Sequence, residues 1–205
     1  MGAAIYTIGH SNHAAVRFID LLQGAGIYCV ADVRSTPFSR RNPQFSQKAL
    51  MASLKDAGIE YWFLGDALGA RPKDPACWED GKVSYARIAA SAVFQEAIHA
   101  LLDGAHAKRI ALMSAENEPL DSHRTILVGR ALAQRDTELA HIHADGRIES
   151  EDALEQGVIR EGHVVVMRGA GVTGGPGMGG GSSRVVFAID GAGMGEKVAM
   201  LTDGH

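Results

Sequence analysis

His10-Ser11, Asp32-Val33-Arg34-Ser35, Arg40-Arg41, Ser114-Ala115-Glu116 and Ser122-His123-Arg124 hold most of the side chains able to do chemistry. Asp32 and Arg34 stand two apart, so at the end of an extended strand their side chains point to the same side. Arg34 could fork onto a phosphate or carboxylate while Asp32 orients it or holds a sugar hydroxyl. An internal Asp32–Arg34 salt bridge that fixes the loop is the competing reading. Arg40 and Arg41 follow Ser35-Thr36-Pro37-Phe38-Ser39, a loop that could close over an anion or stay solvated. Glu116 with His123 could supply an acid and a base. Arg124 falls in the first turn of an expected helix, where a cation opposes the helix dipole. That points either to a bound anion or to an ion pair with Glu116.

The expected set is therefore Glu116, His123 and Asp32 as catalytic groups. His10, Ser11, Arg34, Ser35, Arg40, Ser114, Ser122 and Arg124 are expected to contact a small anionic ligand, phosphate- or nucleotide-like. A Ser122–His123 nucleophile is disfavoured, because adjacent residues on a helix do not face each other. His141 and His143 share a face of a strand, but no third ligand is placed with them, so neither a metal nor another cofactor is expected.

Elements that could position these residues follow from the hydrophobic pattern. Short apolar runs at 4–8, 28–33, 61–64, 109–113 and 138–143 read as strands. Between them lie helical stripes. One carries Val16, Ile19, Leu21 and Leu22. Another carries Leu50, Leu54 and Ala57. A long one over 85–102 is stopped by Gly104, and a last one follows Ser122 as N-cap. The pattern ends in a turn at Asp145-Gly146. Tyr61, Trp62 and Phe63 read as core. Strands alternating with helices predict an α/β fold: a three-layer, mostly parallel sheet with helices on both faces and ligands at the strand carboxyl ends. Each residue of the expected set falls at or just beyond such an end.

The whole chain has 205 residues, a formal charge of -4 and 21% charged residues. That balance disfavours an extended nucleic-acid surface. Two distant cysteines, Cys29 and Cys77, argue against a disulfide framework and for a cytoplasmic setting. The first residues lack the basic and apolar regions of a signal peptide, and no run of about 20 apolar residues could span a membrane. Of the 25 glycines, 14 fall after residue 156, so the chain is expected to divide into 1–156 and a Gly-rich β segment over 157–205.

TIGHS, DVRSTPFSRRNPQF, ALMSAENEPLDSHR and HIHADG occur in that order over about residues 4–150. Together they resemble the bacterial family called domain of unknown function 488. The resemblance implies a small α/β domain with a polar pocket at these strand ends, and no established reaction. Members of that family often carry Cys-Ala-Glu…Cys-His-Arg in the third motif. Ser114 and Ser122 stand at those cysteine positions here, which favours a non-catalytic binding or regulatory module as the alternative to an enzyme.

The Gly169–Gly174 stretch fits GxGxxG, but Gly175-Pro176-Gly177 follows where a helix would have to begin, so a dinucleotide fingerprint is rejected. The tail motifs GGPGM and LTDG resemble the C-terminal part of dihydroxy-acid and sugar-acid dehydratases instead. That family implies a serine base just after TDGR and an iron–sulfur domain, neither of which this sequence contains. The resemblance therefore implies a fusion remnant, a truncated frame or a cap on the first domain. Its apolar runs at 164–167, 185–189 and 198–201 need strand partners, which leaves a homodimer open.

Overall fold

The computed structural model describes residues 4–150, 164–167 and 199–202. The chain divides into two compact units, Met1–Glu151 and Asp152–His205.

The first unit opens with β1 (Ala4–Gly9), α1 (Ala15–Gly24), β2 (Cys29–Asp32), α2 (Gln47–Asp56) and β3 (Glu60–Phe63). A peripheral stretch follows: α3 (Gly65–Leu68), then β4 (Trp78–Glu79) and β5 (Lys82–Val83) in a two-residue hairpin. Next come α4 (Tyr85–Ala90), α5 (Ala92–Ala107) and β6 (Ile110–Ser114). A π-helix over Arg124–Gly129 runs into α6 (Arg130–Ala133), and β7 (Glu138–Ile142) and β8 (Ile148–Ser150) complete the unit.

The sheet order is β3-β2-β6-β1-β7-β8. The first five strands are mutually parallel, and β8 pairs antiparallel with β7. β6 is buried along its whole length, as a central strand covered on both faces must be. Its side chains alternate between two cores. Ile110 and Leu112 pack with Phe94, Ile98, Leu101, Leu127 and Leu132 from α5, the π-helix and α6. Ala111 and Met113 pack with Phe18, Leu22, Leu50 and Leu54 from α1 and α2. The expected three-layer α/β arrangement is what the molecule has. Each fully buried Leu or Phe contributes roughly 1.5–3 kcal/mol, so the strand ends project from a rigid frame.

Three local features differ from the sequence reading. The helix expected over 85–102 is two helices, because the Ser91 hydroxyl donates to the Ile88 carbonyl (2.8 Å) and accepts from the Phe94 N–H (3.3 Å), ending one helix and capping the next. Gly104 does not stop α5; a Cβ there would meet the Trp62 ring at 2.6 Å, so the glycine admits close packing within the helix. The Asp145-Gly146 turn, with Gly146 at φ +93°, leads into an additional strand, β8.

In the second unit β9 (Val164–Met167) and β10 (Ala199–Thr202) pair in parallel, Val164 opposite Ala199. These are two of the three strands expected in the tail; the one expected over 185–189 lies outside the described residues. Among the described residues no helix is long and apolar enough to cross a membrane.

Candidate functional site

Two neighbouring arrangements occupy the carboxyl edge of the sheet. The first is a cleft built from the ends of β1 and β2. Beyond β1, the His10 and Ser11 N–H groups donate to the carbonyls of Ser114 (2.9 Å) and Ala115 (3.0 Å). The two loops approach so closely that a Cβ on Gly9 would lie 1.9 Å from the Glu116 carbonyl oxygen. Only glycine fits there.

Asp32 is fully buried and accepts four hydrogen bonds. They come from the Arg34 backbone N–H (3.1 Å), Arg34 Nε (2.9 Å), Arg34 Nη2 (2.6 Å) and the Tyr61 hydroxyl (2.8 Å). Burial, then the Asp32 charge, pushes the Tyr61 hydroxyl up, so it stays a donor. The Asp32–Arg34 bridge weighed from the sequence is therefore present, and it is bidentate. It fixes Arg34 without exhausting it. Arg34 Nη1 donates to His10 Nε2 (3.1 Å). His10 Nδ1 must then carry the proton, because its partner is the Ser11 carbonyl (2.8 Å) and a carbonyl only accepts. Burial lowers the His10 pKa, in keeping with that neutral tautomer, and the ring stacks on Phe45 at 4.4 Å. Among the described residues two of the five Arg34 N–H bonds remain unspent.

The cleft measures about 630 Å³ and is lined by His10, Ser11, Asn12, Arg34, Thr36, Phe38, Ser39, Arg40, Arg41, Asn42 and Ala115. Among the described residues no carboxylate lines it. Arg40 and Arg41 are exposed. Ser11 has φ +46°, a left-handed conformation uncommon for a residue with a Cβ. Its carbonyl accepts from Asn42 Nδ2 (3.2 Å), which ties the 10–13 loop to the arginine loop.

The second arrangement centres on Arg124, which is 1% exposed. Its Nη1 donates to Ser114 Oγ (2.6 Å) and to the Glu116 carbonyl (2.6 Å). Nη2 donates to the Asn117 carbonyl (3.0 Å) and Nε to Thr7 Oγ1 (3.3 Å). Ser122 Oγ lies 2.8 Å from both Ser114 Oγ and Glu116 Oε2. Carboxylates only accept, so the chain of donors runs Arg124 to Ser114 to Ser122 to Glu116. Burial works against the Glu116 charge, but hydrogen bonds from its own backbone N–H and from Ser122 lead the influences that outweigh it and hold the pKa below the ordinary value. Burial also brings Arg124 down to about 10.

The structure thus brings His10, Ser11, Arg34 and Arg40 together around the cleft, with Asp32 beneath Arg34. Ser114, Glu116, Ser122 and Arg124 gather in the second arrangement and do not line the cleft. Arg124 takes the Glu116 carbonyl while the carboxylate goes to Ser122, so the ion pair weighed from the sequence is not formed. His123 Nε2 donates to the Val33 carbonyl (2.8 Å), joining the π-helix to the end of β2. Burial, the largest influence, lowers its pKa. Ser35 Oγ accepts the Arg71 N–H (2.9 Å) and supports the loop from behind. Sequence reasoning missed Tyr61 as a partner of Asp32 and Asn42 as a loop tie. Tyr61 lies on β3, whose parallel pairing with β2 was the available signal. Among the described residues no group of three or more His, Cys, Asp or Glu could hold a metal.

Against known families, residues 14–131 match the model for the domain of unknown function DUF488. Residues 128–205 match the dihydroxy-acid/6-phosphogluconate dehydratase C-terminal model. A dihydroxy-acid dehydratase of Aeropyrum pernix is 48% identical over 61 residues, covering 30% of this chain and 11% of that protein. One from Mycobacterium ulcerans is 50% identical over 61 residues, again 30% of this chain and 11% of the relative. One from Mycobacterium bovis is 30% identical over 219 residues, covering 98% of this chain and 34% of the relative. The chain therefore spans between about a tenth and a third of the length of these relatives. No solved structure matches significantly.

Proposed function

The chain belongs to the DUF488 family, and from that premise we propose that its strand-end cleft binds a small anion through a phosphate or carboxylate group. One observation carries the reading: Arg34 is buried, fixed by Asp32, and lines the cleft with two N–H bonds unspent. Arg40 and Arg41 add charge at the same cleft, and among the described residues no carboxylate lines it. A charge-assisted hydrogen bond to such an anion contributes about 1.5–3 kcal/mol. His10 and Ser11 border the anion. In an enzymatic form of the proposal, the base is His123 Nδ1, because Nε2 is committed to Val33, and Glu116 stays ionised beside it. Neither residue lines the cleft, which favours a binding or regulatory module over turnover. The cytoplasmic setting belongs to the same proposal.

The test is a thermal-shift series with inorganic phosphate, sugar phosphates and 2-hydroxy acids on the full chain. A ligand at 100 times its dissociation constant adds about 2.7 kcal/mol of stability. Arg34→Lys keeps the charge but loses the fork, and is expected to weaken binding at least about tenfold. The double variant Arg40→Gln/Arg41→Gln, at exposed positions, is expected to weaken it several-fold with the fold unchanged. Absence of a shift with every anion sinks the proposal.

A second reading rests on the dehydratase C-terminal match over residues 128–205. In it the chain is a remnant of a dihydroxy-acid dehydratase-like lyase joined to the DUF488 domain. The iron–sulfur group such a lyase implies does not fit the thiols present. Cys29 and Cys77 are both buried, and burial pushes the Cys29 thiol up to about 12, whereas iron needs thiolates. Dehydration of a 2,3-dihydroxy acid by the purified chain would revive this reading; no turnover removes it.

A further inference from the structure

We propose that the anion of the cleft is the phosphate of a nucleoside monophosphate, whose base stacks on Phe38. The inference rests on the anion reading and adds a ligand class to it. Among the described residues several large hydrophobic side chains are exposed, and Phe38, at 64%, is the one that lines the cleft. The loop backbone around it is held by hydrogen bonds. The Pro37 carbonyl accepts from the Gln47 N–H (2.9 Å), and the Ser39 N–H donates to Ser46 Oγ (3.3 Å). The Phe38 N–H turns back to the Thr36 carbonyl (2.8 Å). Both flanking residues are tied to the start of α2, and the exposed ring shares the cleft lining with the arginines.

The two ends of the ligand follow from this lining. Arg34 asks for an anionic group, and an aromatic face asks for a planar ring. Bases stack on aromatic side chains whatever their identity. The side chains sharing the cleft suit the sugar and the base edge. Ser39 and Thr36 bring hydroxyls, and among the described residues Asn12 keeps its Nδ2 donor and Asn42 its Oδ1 acceptor. The volume of about 630 Å³ falls inside the roughly 300–1,000 Å³ range of small-molecule sites. A mononucleotide joins all three chemistries in one molecule of that size. A longer nucleic acid is not implied, because three arginines neutralise too few phosphates.

The experiment is calorimetric titration of the full chain with ribose 5-phosphate, with the four common nucleoside monophosphates and with inorganic phosphate. Ribose 5-phosphate should bind, and the nucleotides should bind roughly 5- to 150-fold more tightly, the range of one stacked base. Phe38→Ala should erase that advantage and leave ribose 5-phosphate unchanged, and Phe38→Trp should restore it. Equal affinity for ribose 5-phosphate and the nucleotides overturns the inference and leaves the anion reading standing. A nucleotide advantage that survives Phe38→Ala also overturns it, since the ring would then be read elsewhere. If none of the three ligand classes binds, the anion reading itself falls.

Discussion

Arg34 and Arg124 are both buried at the carboxyl edge of one sheet, 6% and 1% exposed, and each sits close to an acidic residue. Their hydrogen bonds divide differently. Arg34 gives two side-chain N–H bonds to Asp32 and one to His10, and keeps two. Arg124 gives four, to Thr7, Ser114 and the carbonyls of Glu116 and Asn117, and keeps one. The first borders a cleft of about 630 Å³, while the second is enclosed by the chain it fastens. Charge does not separate the two sites, since each holds a guanidinium group. The unspent donors do: a guanidinium that has satisfied the protein has little left for a ligand.

The largest test of that division is Arg124→Ala. It removes four hydrogen bonds from a charged donor, and Ser114 and Thr7, being fully buried, cannot recover them from water. Such bonds contribute about 1.5–3 kcal/mol each and are not additive, so the expected loss is about 3–5 kcal/mol of unfolding free energy. Urea unfolding measures it. If the variant instead keeps its stability and loses anion affinity, the roles assigned to the two arginines are reversed.

Acid should strain the same region next. His141 is buried with Nδ1 2.8 Å from Thr7 Oγ1, while its Nε2 has no partner among the described residues. Burial first, then the charges of Arg124 and His143, lowers its pKa from 6.5 to about 4. The unfolded chain takes up this proton near pH 6.5, and the folded chain resists until about pH 4. The stability from His141 is therefore complete above pH 6.5, falls as the pH drops from 6.5 to about 4, and levels off below. Its size is about 3 kcal/mol. Unfolding free energies at neutral pH and at pH 4 should differ less in His141→Gln than in the parent chain by about that amount. An identical pH dependence in both would show that His141 is not held neutral by its surroundings.

The sequence made the frame legible because each layer leaves a period in it. Alternating apolar runs marked all five parallel strands, and the strand-end rule then placed His10, Asp32, Arg34 and Ser114 on one edge. The division between the two arginines was not legible. Arg124 is satisfied mainly by loop carbonyls and hydroxyls brought over by β1 and β6, and a backbone carbonyl has no residue type to read. The π-helix that carries it lacks a sequence mark as well. Gly104 misled for a related reason: a glycine that ends a helix and one that admits the Trp62 ring look alike until the packing is known. Asp80-Gly81 did carry a hairpin signal, with both residues at positive φ (+49° and +73°), but its two-residue strands are too short to show a period.

The smallest expected effect falls on the residue that joins the two regions in sequence. Glu116 lends its carbonyl to Arg124, and its carboxylate ends the serine relay. Glu116→Gln keeps the carbonyl and still offers Ser122 an acceptor oxygen, so the cost in stability should stay below about 1 kcal/mol, the net value of one neutral hydrogen bond. Removing an exposed negative charge next in sequence to Ala115, which lines the cleft, should leave phosphate affinity unchanged or raise it slightly, because such a charge acts weakly across solvent. Calorimetry with inorganic phosphate on the parent chain and the variant checks the sign. A fall in affinity would mean that the carboxylate shapes the cleft after all, through Ser114 and the His10 N–H that bonds its carbonyl at 2.9 Å. The two arginines would then serve one site, with Arg124 as its rear support.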